Sequence, residues 1–90
     1  MLENIIGKAV STELSNHFRN YITVDDRAMI SELTKVHINT VNNIMYRKTN
    51  VNKDNKSVLI ELIKAAQKNC IEKIKQSKKC KKELEKYLND

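Results

Sequence analysis

Proline is absent from this chain and glycine occurs once, at Gly7, so it lacks most of the residues that build the tight turns of sheets. What remains is an apolar periodicity of about 3.6 residues. Together these predict an all-α fold of four to five helices, with a central pair of short helices and a long or broken C-terminal helix. Ninety residues make one domain, with a core too small to enclose a catalytic cleft and its supporting shell.

The first helix is expected from about Leu2 to Ile22. Its stripe is Leu2, Ile5, Ile6, Ala9, Val10, Leu14, Phe18, Tyr21 and Ile22, with Gly7 tolerated inside it at modest cost. Thr23 suits the N-cap of a second helix, from Val24 or Asp25 to Thr34, with Asp26 three residues on. A third helix is expected to start between His37 and Asn39 and to end near Arg47. A polar connector, 47–54, follows with Val51 as its buried anchor. Asp54 or Asn55 can cap a fourth helix carrying Val58, Leu59, Leu62, Ile63, Ala66, Cys70, Ile71 and Ile74. The apolar stripe then lapses over 75–82, KQSKKCKK, and resumes as Cys80, Leu84, Tyr87 and Leu88. One long helix and a separate fifth helix both fit that pattern.

The segment Arg27 to Tyr46, RAMISELTKVHINTVNNIMY, is the most telling stretch. Ile30, Leu33, Val36, Val41 and Ile44 are spaced to close a small core between two helices, and Ser31 is small where those helices would cross. This segment resembles a helix-turn-helix DNA-binding module. The run 30–51, ISELTKVHINTVNNIMYRKTNV, is similar to the pattern IAELAGVSxxTVSRVLNGKxxV of lac-repressor-type and lambda-repressor/Cro-like proteins. Lys35 departs from it, standing where the family usually has glycine because the backbone tends to positive φ. A lysine there costs about 1 kcal/mol.

A helix entering the major groove presents its N-terminal residues and one face to base edges. Here that face holds Ile38, Asn39, Asn42 and Asn43, while Val41, Ile44 and Met45 turn inward. Asparagine pairs bidentately with adenine and an aliphatic side chain packs on a thymine methyl, so an A·T-containing site is expected. The resemblance implies base contacts at Ile38, Asn39 and Asn43. It implies phosphate contacts at Thr40, Asn42, Tyr46, Arg47, Lys48 and Asn50. His37, where the family often has a serine N-cap, is expected to cap the helix or meet a phosphate.

The net charge of +6 is unevenly placed. Residues 1–45 carry four Lys/Arg against five Asp/Glu, and residues 46–90 carry thirteen against six. The positive field thus begins at the end of the third helix, which suits phosphate contacts there. No apolar run approaches the ~20 residues of a membrane span. Neither a secretory leader nor a membrane partner is expected. Cys70 and Cys80 do not make a disulfide framework, and His17 and His37 lack ligand spacing to a second donor. No serine, histidine or aspartate sits in an activating arrangement. No enzyme activity, metal, cofactor or small-molecule ligand is therefore expected.

The expected division is a helix-turn-helix DNA-binding domain over 1–74 and a basic helical extension over 75–90. Cys80, Leu84, Tyr87 and Leu88 are the expected oligomer interface. The resulting expectation is a sequence-specific transcriptional regulator, repressor-like, in a bacterial or phage-infected cytosol. It would bind double-stranded DNA as a homodimer on a pseudo-palindromic site. Two alternatives share the same pattern. One is an oligomeric phage packaging subunit of the small-terminase kind, and the other is an antitoxin-like or polymerase-binding adaptor.

Overall fold

The computed structural model describes residues 5–89. Its described residues form an all-α fold of four helices: α1 (Thr12–Tyr21), α2 (Val24–Thr34), α3 (Ile38–Met45) and α4 (Lys56–Asn89). The extents are 57 × 25 × 18 Å, because α4 runs well beyond the packed part of the molecule. None of these helices is long and apolar enough to cross a membrane.

The first helix is shorter than its apolar stripe predicts. Gly7 has φ +87°, a left-handed conformation that L side chains rarely adopt, and it closes a turn in which the Lys8 N–H donates to the Ile5 carbonyl at 2.9 Å. The segment is then tied to the connector before α4. Gly7 N–H donates to Val51 O at 2.7 Å, and Val51 N–H returns to Lys8 O at 2.8 Å. Helix α1 starts only after Ser11, whose hydroxyl accepts from Leu14 N–H. Val10 is nevertheless fully buried, and Ile5 and Ile6 pack against the core. The stripe marked core-facing residues correctly, but a turn delivers them. Leu2 lies outside the described residues.

Helix α2 begins on a reciprocal capping box. Thr23 Oγ1 accepts from Asp26 N–H at 3.1 Å, and the Asp26 carboxylate accepts from Thr23 N–H at 3.0 Å. It ends at Lys35, which adopts φ 60°, the left-handed geometry expected of the turn. The Ser31 hydroxyl donates to Val36 O at 2.6 Å and holds that turn against α2. The described α3 ends at Met45, short of Arg47, because Arg47 also takes a left-handed conformation, φ 64°. Arg47 N–H reaches Ile44 O, and Lys48 N–H reaches Asn43 O at 2.7 Å. These are the two bonds of a Schellman terminus, here closed by arginine in place of glycine.

The core comprises Val10, Phe18, Ile22, Ile30, Val41, Ile44, Met45, Val51, Val58, Leu59 and Leu62. Leu33, expected inside it, is 64% exposed. It lies near the end of α2 on the flank that faces α4, where the side chains of Lys64 and Lys68 border it without covering it. Val36 is half-buried, and Val51 anchors the connector as expected. The Asn55 side chain is spent on the connector and not on the α4 amides. Its oxygen accepts from Asn52 N–H at 2.7 Å, and its Nδ2 donates to Asn50 O.

Helix α4 is continuous, which decides between the two readings of the C-terminal stripe. Val58, Leu59 and Leu62 are buried, but every residue from 71 to 89 is exposed. Ile71 and Ile74, read as part of the core stripe, are about half exposed, and Ile71 lies on the side of α4 that carries Lys64, Lys68 and Lys75, away from the core. The last inter-helix contacts are polar. Asn69 Nδ2 donates to Tyr21 O at 2.6 Å and to the Asp26 carboxylate at 2.8 Å, joining the end of α1 to the start of α2. Lys73 then lies over the Tyr21 ring, 5.6 Å from its centroid.

Candidate nucleic-acid interface

Helix α3 is held at both ends and from beneath. Val41, Ile44 and Met45 are its buried side. At its start, His37 Nδ1 accepts from Asn39 N–H at 3.1 Å, so the imidazole caps the helix. At its end, the buried Ser15 hydroxyl donates to Met45 O at 2.7 Å. That bond ties a carbonyl of the last α3 turn to α1 and satisfies it away from water.

The outward side divides the expected base-reading residues into two kinds. Asn39 is exposed and Asn43 is half-buried, and both side chains are free of protein partners among the hydrogen bonds of the site. Ile38 is half-buried and packs against the core, which leaves only part of its side chain for a ligand. Asn42 is engaged: its Oδ1 accepts from Arg27 Nη1 at 3.1 Å. Its amide nitrogen remains as a donor, so Asn42 retains half of the pattern that a bidentate adenine contact requires.

The expected phosphate contacts also separate. Lys48 and Asn50 are exposed, and Thr40 is half-buried at the first turn of α3. Arg47 donates from Nε to Val10 O at 2.7 Å, which steers its guanidinium and secures the N-terminal segment. Tyr46 is half-buried beneath Arg19, whose guanidinium lies 5.1 Å from the ring centroid.

The chain has three arginines among its seventeen basic residues, and all three gather at α3. Arg19 comes from α1 over Tyr46, Arg27 from α2 onto Asn42, and Arg47 from the turn that ends α3. Arg19 and Arg27 were not singled out by the sequence. Their separations from Tyr46 and Asn42 are set by how α1 and α2 pack, and no local spacing signals them. Arg27 is half-buried, and its Nε–H is buried with no acceptor among the described residues.

At the start of α2, beside α4, Asp26 supplies a negative charge. Partial burial raises its pKa, but the Thr23 amide, Asn69, the Thr23 hydroxyl and nearby Lys68 outweigh that and hold it below its ordinary value. The carboxylate is thereby reserved for the capping box. No group of three or more His, Cys, Asp or Glu among the described residues is arranged to hold a metal. Cys70 and Cys80 are free thiols. The expected oligomer residues Cys80, Leu84, Tyr87 and Leu88 all lie on the exposed part of α4, with Tyr87 78% and Leu88 86% exposed. No family model, no curated protein and no solved structure matches the chain.

Proposed function

We propose that the protein is a sequence-specific DNA-binding regulator that places α3 in the major groove and acts as a homodimer. The observation that carries this reading is the convergence of Arg19, Arg27 and Arg47 on one short helix that also presents Asn39 and Asn43. Arginine is the residue best suited to phosphate oxygens, and asparagine to adenine edges. Arg19, Lys48 and the free part of Arg47 meet the backbone beside the groove, and Asn39 and Asn43 read bases. The resemblance to repressor helix-turn-helix modules and the left-handed turn at Lys35 support the same arrangement. Pairing through Cys80, Leu84, Tyr87 and Leu88 brings two such helices to one pseudo-palindromic site. The two free thiols suit a reducing cytosol.

Selection of bound duplexes from a random pool tests the reading. The expected result is enrichment of a two-fold related, A·T-containing motif. Asn39→Ala and Asn43→Ala should each weaken binding to that motif by roughly 1–3 kcal/mol while leaving random DNA unaffected. A pool that stays unenriched would overturn it.

The projecting α4 favours one second reading, an oligomeric DNA-packaging subunit that grips DNA with little preference. The mass in solution separates the two: a dimer supports the regulator and a ring supports the packaging subunit.

A further inference from the structure

Helix α4 carries ten lysines and four glutamates, which equals the net charge of the whole chain. These lysines are not spread around it. Lys64, Lys68, Lys75, Lys79, Lys82 and Lys86 follow one another at steps of four, seven, four, three and four residues, which keeps them on one side of the helix. Lys78 lies beside the same line. The ladder spans about 33 Å at 1.5 Å per residue. Two shallow surface depressions lie along it, one bordered by Lys64, Lys68 and Lys75 and the other by Lys75, Lys78, Lys79 and Lys82. Lys75 belongs to both, so the basic surface is continuous.

Little within the chain neutralises it. Lys64 has Glu61 at 3.5 Å, Lys68 lies near the Asp26 carboxylate, and Lys81, off the line, has Glu85 at 4.0 Å. Glu72 borders the first depression. Between Lys75 and Lys82 the line has no ion pair among the described residues, and like charges three and four residues apart disfavour a helix. This side of α4 is opposite the one that packs Val58, Leu62 and Asn69 and continues as Cys80 and Leu84. Pairing of two chains through the apolar side therefore leaves the lysines facing outward.

We propose that this ladder is a second DNA-binding surface, which holds the phosphate backbone of a duplex without reading its sequence. A linear row of cations over about 33 Å matches a linear polyanion with a charge every ~1.7 Å of axis better than it matches a single anionic ligand. An anionic membrane fits less well. An interfacial helix lays its apolar face in the membrane plane, and here the lysines point away from that face. The contact is separate from α3 and stands whether or not α3 reads bases.

The test uses the full chain, a 30-base-pair duplex of random sequence and a salt series. The quadruple variant Lys75→Gln, Lys78→Gln, Lys79→Gln, Lys82→Gln should lower the slope of log affinity against log salt by about 3 to 4. The matching four Lys→Arg changes should retain it. Circular dichroism checks that the helix persists in both, and sedimentation checks that the assembly does. An unchanged slope in the glutamine variant, or no binding of wild type to the random duplex, overturns the proposal. So does a variant that keeps its DNA slope but loses binding to phosphatidylserine-containing vesicles. Asn39→Ala and Asn43→Ala on a selected motif report on α3 independently, so each surface can fail without the other.

Discussion

Arg27 and Asn42 are joined across the helix pair, with Arg27 Nη1 donating to Asn42 Oδ1 at 3.1 Å. The bond locks the rotation of α3 relative to α2, and it removes one acceptor from the face that α3 presents outward. Asn42 is therefore better placed to position α3 than to read a base alone. Asn42→Ala would strand the guanidinium of Arg27, whose Nε–H already lacks an acceptor. Denaturant unfolding should show a loss of about 1–3 kcal/mol. Selectivity among DNA sequences should change less than for Asn39→Ala, and a larger change would make Asn42 a base contact after all.

Arg47 and Lys48 follow one another but should respond differently. Lys48→Gln should leave stability unchanged and reduce the salt slope of DNA binding by about one. Arg47→Gln removes the 2.7 Å bond to Val10 O as well, so it should also destabilise the fold by roughly 0.5–1.5 kcal/mol. Equal stability of the two variants would show that the bond to Val10 contributes nothing.

Asp26 predicts the acid response. Its pKa is lowered in the folded chain from an ordinary value near 3.8, so the ionised carboxylate favours folding. That contribution is complete above the ordinary value and disappears as pH falls through the lowered folded value. Asp26→Asn should cost roughly 1 kcal/mol at neutral pH by weakening the capping box. Its deficit against wild type should shrink as pH falls below 3.8 and through the lowered folded value, where the wild-type carboxylate also loses its charge. A deficit that stays constant throughout that acid titration would mean that the charge is immaterial.

Deleting residues 76–90 tests the role of the projecting end of α4. Every core residue lies between Val10 and Leu62, and Asn69 and Lys73 complete the contacts with α1 and α2. The shortened chain should stay helical with an unfolding midpoint close to that of the full chain. It should sediment as a monomer, and its affinity for a two-fold site should fall because the half-sites are no longer coupled. Persistence of a dimer would move the interface elsewhere on the molecule.

Much of the fold was legible because it is local. The Thr23–Asp26 cap, the turn at Lys35 and the inward set Val41, Ile44 and Met45 depend on residues a few positions apart, where helical geometry fixes who meets whom. The buried anchor at Val51 was legible as one apolar residue in a polar connector. Periodicity could not tell that Ile5, Ile6 and Val10 reach the core from a turn, since apolar spacing records which residues face inward and not the backbone that carries them. It could not place Leu33 outside either, because that outcome depends on how closely α4 crosses α2. Tertiary packing alone decided that Arg19, Arg27 and Arg47 meet at α3, that Asn42 is engaged, and that α4 outruns its partners after Lys73. Each of these relations joins residues far apart in the chain, and their distances follow from helix crossings that no local pattern encodes.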